Sequence, residues 1–397
     1  MSGPLEGIRV VDLTQVVSGP LATMLLADQG AEVVKVEPSG IGGDVTRLPS
    51  FAKGGISALF VNNNRGKRSL AVDLTNDEGR QIIIDLVAKA DVFIQNFRPG
   101  AIERLGLGYE ELKAVNPELI YCSISGFGPD GPYSDRPVLD PVIQGLTSMV
   151  SRQLNPQIPF PDLVRNLVAD KSTAFTSAQA ITAALFSRER TGKGQYLQIP
   201  MLDSCLYFFW VDGMMDLTMM DEDVSPGLRL SQVYSITNTA DGQLVYFAAN
   251  DKQRFGLLRA LGRDELCEDE RFSSLAAISN PENFAALGEI VAKEFEKVTN
   301  EEIIPKLIEH EVPCGPILDG EETIEDPQVV HNEVLRVWEH EEAGKIRQPV
   351  PAARFSETPA EMRETAALLG QHNDEILEEL KRDRETIERL REEGVIL

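Results

Sequence analysis

The chain has 397 residues, 42% hydrophobic, 25% charged and 6% aromatic, a composition of folded globular proteins that excludes a disordered or fibrous chain and predicts two or three domains. Its 63 acidic residues against 38 Lys and Arg give a formal net charge of −25, which argues against nucleic acid and anionic membrane surfaces as partners; an anionic ligand must therefore meet a local cluster of cations. No stretch reaches the roughly 20 apolar residues of a membrane span, the start lacks a secretory pattern, and the four scattered cysteines predict free thiols in a reducing cytoplasm.

GIRVVDL (7–13) is a β-branched apolar run, PLATMLLADQ (20–29) has helical composition with Pro in its first turn, and AEVVKVE (31–37) is a second apolar run. Gly30 stands where a helix C-cap belongs. Strand, helix and strand within about 30 residues make a βαβ unit, which predicts a parallel sheet and a ligand crevice at the carboxyl ends of its strands, with the loop QVVSGP (15–20) at the rim. The pattern continues through RSLAVDL (68–74), a helix over 77–89, DVFIQNF (91–97), a helix near 109–115 and LIYCSISGFG (119–128). The first 200 residues therefore read as a doubly wound, Rossmann-like α/β domain.

YLQIPMLDSCLYFFWVDGMM (196–215) reads as a strand followed by a long apolar helix, and the texture changes at DEDVSPG (221–227), a predicted linker. VYSITNTADGQLVYFAA (233–249) carries a hairpin signal at Asp241-Gly242, and acidic helices follow near 252–261, 282–296 and 300–309. The predicted division is a large domain from 1–200 with 330–397, a linker helix over 201–225 and a small α+β domain over 226–325. Beyond about 325 the chain reads as loop, then as one charged helix over 374–394.

The first strand is not followed by G-x-G-x-x-G, which disfavours a dinucleotide-dependent dehydrogenase, and SGIGGD (39–44) reads as a turn. No His, Cys, Asp and Glu spacing suggests a metal site. Arg47, Arg65, Lys67, Arg68, Arg98 and Arg104 are candidate partners for a phosphorylated ligand, several beside strand ends. NFRPG (96–100) places a Pro-Gly turn after a strand, fixing Asn96, Phe97 and Arg98 at the crevice rim. In LVADKSTAF (167–175), Asp170 lies at the opening of a helix, where an Asp serves either as N-cap or as a carboxylate nucleophile; local sequence does not separate the two.

LEGIRVVDLTQVVSGPLATMLLADQGAEVVKVE (5–37), GDVTR (43–47), NRGKRSLAVDL (64–74), NFRPGAIERLGLGYEEL (96–112), NPELIYCSISGFGPDGPY (116–133), ADKSTAF (169–175), RTGKGQYLQIPMLD (190–203), VPCGPI (312–317) and LLGQHNDEILEEL (368–380) together resemble the class III coenzyme A transferases, the family of formyl-CoA transferase and carnitine CoA-transferase. The resemblance spans nearly the whole chain in order. It implies transfer of CoA from an acyl-CoA to a carboxylic acid through covalent intermediates on Asp170, with coenzyme A as co-substrate and no tightly bound cofactor. It points to Val17 and Ser18 in the oxyanion loop, Asp140 close to the active site, and Val16, Val72, Asn96, Phe97 and Arg104 on CoA; Arg98 joins that set from the crevice rim. It also implies an interlocked homodimer.

Several positions depart from formyl-CoA transferase. Val17 stands where a polar side chain is common, Pro38, Thr75 and Pro137 replace basic residues, Leu139 replaces an aromatic, and SPGLRLS (225–231) shortens a glycine-rich loop, so a formyl/oxalate specificity is disfavoured. A 2-methylacyl-CoA racemase of the same fold places a His before the Asp140 position; here Val138 and Leu139 precede it and no His occurs before His310. Hydrolysis or lyase chemistry on an aspartyl-CoA intermediate stays open as the alternative.

Overall fold

Short strands whose successive side chains are apolar on both sides require cover on both faces, and the computed structural model supplies it. It describes residues 3–48, 50–153, 158, 160–224 and 227–397. The main sheet has six strands, here β1 (Arg9–Asp12), β2 (Glu32–Glu37), β3 (Lys67–Ala71), β4 (Val92–Gln95), β5 (Ile120–Ser125) and β6 (Gln195–Pro200). Their spatial order is β3-β2-β1-β4-β5-β6 and every pairing is parallel. This is the doubly wound order, with its topological switch between β1 and β4. Two pairs of two-residue and six-residue strands outside this sheet, 52–57 and Leu335–Pro349, form antiparallel hairpins.

Period-two alternation assigns each strand's side chains to a face. Val10, Ile94, Ile120 and Cys122 pack on one side with Leu26 of helix α1 (Ser18–Asp28) and with Ile181 and Leu185 of the 24-residue helix α3 (Val168–Thr191). Val11, Phe93 and Tyr121 pack on the other with Ile82 and Ile83 and with C-terminal residues Ile376, Leu377 and Leu390. A short helix, α2 (Asp140–Leu146), precedes α3 in the chain.

The chain divides into two compact units: residues 1–150, 163–209 and 330–397 form one, and residues 151–162 and 210–329 the other. The second has its own core, with Leu244, Leu257, Phe272, Leu287, Phe295 and Leu307 buried between an antiparallel three-stranded sheet and helices Asp251–Ala260, Pro281–Phe295 and Asn300–Glu309. The hairpin at Asp241-Gly242 forms, with strands Thr237–Asn238 and Gln243–Tyr246 joined by four residues instead of a two-residue turn. Asp241 Oδ1 accepts from the Asn300 N–H at 2.8 Å, which ties that loop to the next helix. Ser225 and Pro226 of the expected linker lie outside the described residues.

Two local expectations fail. The charged segment at the C-terminus is two helices, Asn373–Glu379 and Arg384–Glu392, broken where Lys381 adopts a left-handed φ of 65° and Asp383 caps the second. The region read as loop after 325 contains the Leu335–Pro349 hairpin, whose alternating polar side chains hide the strand signal. Among the described residues no helix is long and apolar enough to cross a membrane.

Candidate active site

The loops after β1 and β4 flank the topological switch, where a doubly wound sheet opens its crevice. They are joined reciprocally: Asn96 Oδ1 accepts from the Gln15 N–H at 2.9 Å, and Asn96 Nδ2 donates to the Gln15 carbonyl at 2.7 Å. The predicted ligand residue Asn96 is thus a clamp between the two loops. Val16 follows with φ 70°, a left-handed conformation that a β-branched residue adopts only under strain. Its N–H is held by Asp44 Oδ1 and Oδ2 at 3.3 and 3.2 Å.

Beneath this loop runs a buried ionic chain. Lys35 Nζ donates to the Thr14 carbonyl at 2.8 Å and to Asp44 Oδ2 at 3.0 Å, and Lys67 Nζ donates to Asp12 Oδ2 at 3.0 Å and to the Pro20 carbonyl at 2.8 Å. Asp12 also accepts from the hydroxyls of Thr14 and Thr23 at 2.5 and 2.6 Å. Burial drives the Lys67 ammonium down to about 8 despite Asp12, whereas the two lysines overcome burial to hold the Asp12 carboxyl low. Gly19 is required here, since a Cβ would lie 2.3 Å from Thr14 Cβ.

The loop turns into α1 with Val17 at the N-cap and Ser18 as the first helical residue, both 3% exposed. Ser18, through its hydroxyl and backbone N–H, bears on the Asp170 carboxylate and favours its ionised form. Asp170 is 7% exposed in the first turn of α3. Burial first and the negative charge of Asp140 second push its carboxyl from an ordinary 3.8 to about 6, with the Ser18 donors restraining the rise.

The capping alternative for Asp170 is corrected by the structure. The N-cap of α3 is Leu167, whose side chain makes no cap bond. The orphan N–H groups of Ala169 and Asp170 donate instead to Asp140 Oδ2, at 2.7 and 3.0 Å. Asp140 therefore caps the helix from another element and leaves the Asp170 side chain for Ser18. Gln144, one turn along α2, donates to Asp140 Oδ1 at 2.6 Å.

Next to this constellation, a groove of about 510 Å³ is lined by Asn96, Phe97, Arg98, Arg136, Val138 and Leu139 among others. Phe97, Arg98 and Pro99 also line a smaller hollow against Ser123, Tyr196 and Gln198. Arg98, Arg104 and Arg136 are exposed. The Arg136 guanidinium is stacked on Tyr133, 3.5 Å from the ring centroid. The other candidate cations are neutralised: Arg47 by Glu37, Arg65 by Asp28, Lys67 by Asp12 and Arg68 by Glu375 and Glu379. Val72 is fully buried and its N–H is bound to the Glu37 carbonyl at 2.8 Å, so it has no side-chain surface to offer a ligand.

Sequence reasoning missed Lys35, Arg136 and Gln144. The signal for Lys35 was a charge in the middle of the valine-rich EVVKVE, where both strand faces are buried. Gln144 and Arg136 carried no local signal. No group of three or more His, Cys, Asp and Glu among the described residues is arranged to hold a metal ion.

The doubly wound sheet thus carries a buried carboxylate of raised proton affinity near the start of α1 and a groove lined by arginines. Residues 5–373 match CoA-transferase family III. The human succinyl-CoA:glutarate CoA-transferase is 34% identical over 99% of this chain and 90% of its own length. The formyl-CoA:oxalate CoA-transferase of Streptomyces avermitilis is 31% identical over the full length of both. Among solved structures, a CaiB/BaiF family protein from Brucella suis superposes with a TM-score of 0.81 at 33% identity, covering 96% of this chain and 100% of its own. The chain belongs to CoA-transferase family III and is a class III CoA-transferase, an enzyme that uses CoA thioesters as co-substrates.

Proposed function

We propose that this enzyme moves CoA from an acyl-CoA donor to a carboxylic acid through two covalent species on Asp170. The observation that carries the reading is the buried Asp170 carboxylate, raised to about 6 by burial and by Asp140, with Ser18 bearing on it from the start of α1. At neutral pH it is ionised and more basic than an ordinary carboxylate, which suits it as a nucleophile.

Asp170 Oδ attacks the donor thioester carbonyl, a C–O bond forms, and the C–S bond breaks with its electron pair leaving on the CoA thiolate. The thiolate then attacks Asp170 Cγ of the mixed anhydride, expels the donor acid as carboxylate, and leaves an aspartyl-CoA thioester. The acceptor carboxylate repeats both steps in reverse. Each tetrahedral oxyanion needs aimed donors, and the amides of Val17 and Ser18 at the N-terminal end of α1 are the proposed ones. Val17 supplies no side-chain donor.

Arg98, Arg104 and Arg136 are the proposed contacts for the CoA phosphates, with Phe97 lining the groove, Val16 a further proposed contact from the loop after β1, and Asn96 fixing the two loops. Two relatives act on small carboxylic acids by name, succinate with glutarate and formate with oxalate, and a small mono- or dicarboxylic acid is the proposed acceptor class here. The interlocked homodimer belongs to the same proposal.

The test is covalent trapping. Wild type incubated with succinyl-CoA or acetyl-CoA and treated with hydroxylamine or borohydride is expected to be modified at Asp170, and Asp170→Ala to lose both the adduct and CoA exchange. Modification at another residue, or exchange surviving in Asp170→Ala, refutes the mechanism; release of free acid without exchange favours the hydrolase alternative.

A further inference from the structure

Asp140 and Gln144 form a strut whose two ends meet different elements. Both are 2% exposed. Gln144 Oε1 accepts from the Val164 N–H at 2.9 Å, and its Nε2 donates to Asp140 Oδ1 at 2.6 Å and also reaches the carbonyls of Val164 at 3.2 Å and Asn166 at 3.4 Å. Gln144 thereby fixes the segment leading into α3 and one oxygen of Asp140 together. The other Asp140 oxygen holds the N–H groups of Ala169 and Asp170 itself. Three donors thus fix both oxygens of the buried Asp140 carboxylate.

We propose that Gln144 is a positioning residue for the nucleophile, holding the Asp140 carboxylate against the first turn of α3 so that Asp170 faces a fixed negative charge until it is acylated. The inference rests on Asp170 being the nucleophile. When Asp170 attacks, its own negative charge leaves with the CoA sulfur, and both the anhydride and the aspartyl thioester are neutral at Asp170. The repulsion from Asp140 is present in the free carboxylate and absent in both covalent species. A charge held in place this way favours acylation without touching the substrate.

The charged surroundings are few. Among the described residues Asp140 is the charged group that bears on Asp170, and Ser18 contributes dipoles. Lys171, next in the chain, is exposed and reaches the Asn166 side chain at 3.3 Å. The Cys205 thiol, 3.6 Å from the Thr147 hydroxyl, is raised by burial and by Asp140.

The experiment replaces Gln144 in the full-length enzyme by Met, of similar length but with no donor, and follows kcat and KM for acyl-CoA against pH together with thermal stability. Without its Gln144 donor the Asp140 carboxylate is no longer held against the first turn of α3, and its charge bears less on Asp170. The acid limb of kcat/KM is therefore expected to move down by about one pH unit, with kcat falling on the order of ten-fold at pH 7.5 and KM within about two-fold of wild type. Asp140→Asn, which removes the charge and keeps the shape, is expected to move the limb in the same direction, and it carries the test if Gln144→Met fails to fold. A lowered melting temperature with the acid limb and kcat unmoved assigns Gln144 a purely structural role and overturns the proposal. Trapping in wild type separates the two levels. No adduct at Asp170 removes the parent mechanism, whereas a normal adduct with an unmoved acid limb in both variants removes only the role of Gln144.

Discussion

Replacing Asp170 by Asn is expected to stabilise the protein while abolishing transfer, and the pH dependence of that gain tests the electrostatics of the site. The folded carboxyl lies at about 6 and the unfolded one at 3.8, a difference of about two pH units. At roughly 1.4 kcal/mol per unit this is a penalty of about 3 kcal/mol for holding the ionised group in place. Because the folded state binds the proton more tightly, the penalty is absent well below 3.8, grows as pH rises, and is complete above about 6. Asn has nearly the same shape and carries no charge. At pH 8 the variant should therefore be more stable by about 3 kcal/mol, and at pH 5 by about half of that. Differential scanning calorimetry of wild type and Asp170→Asn at the two pH values reads this as a rise on the order of 5 °C at pH 8 that shrinks at pH 5. A variant no more stable than wild type at pH 8, or one with the same gain at both pH values, refutes the assignment of burial and Asp140 as the forces on this carboxyl.

Arg136→Ala and Arg98→Ala, singly, are expected to raise KM for acyl-CoA by about ten-fold each with kcat nearly preserved, and steady-state kinetics at low and high salt should show the difference narrowing as ions screen the contact. Equal loss in kcat would place these arginines on the reacting atoms instead. Lys67→Ala leaves the buried Asp12 without its counter-ion and is expected to cost about 3–5 kcal/mol, measured as the midpoint of urea unfolding; an unchanged midpoint would show that the Asp12–Lys67 pair is not what holds the end of β1.

The sheet was legible in the sequence because its strands alternate with helices at regular spacing and their apolar runs are bounded by Gly and charged residues. The βαβ unit at 7–37 and the strands near 92 and 120 form within a few residues of their expected bounds. What failed were elements stabilised by polar patterning, such as the 335–349 hairpin, where exposed Arg336, Glu339 and Lys345 conceal the period of two. The cations failed for a different reason. Arg47, Arg65 and Lys67 sit beside strand ends as a ligand site would require, but each finds a carboxylate partner distant in sequence or on a neighbouring strand, and no local pattern shows that pairing.

Asp170 shows how a local reading can name the right device and assign it to the wrong residue. The first turn of α3 does need a carboxylate cap, as any helix start does. Had Asp170 filled that need, its oxygens would have been bound by backbone N–H groups and its pKa lowered, a poor nucleophile held out of reach. Asp140, from another helix, takes the N–H groups of Ala169 and Asp170, and the same contact sets a like charge beside Asp170. Capping in trans thus frees the side chain and raises its basicity in one arrangement. The loop opposite is fixed just as firmly, by Asn96 on Gln15 and by Asp44 on the strained Val16, with Lys35 holding Asp44. Acyl exchange between similar esters releases little energy, so an enzyme that performs it gains most from groups already in place before substrate arrives. In this protein that rigidity is built from buried ion pairs and reciprocal hydrogen bonds beneath the crevice, and Asp170, the proposed nucleophile, carries a charge that the proposed acylation removes.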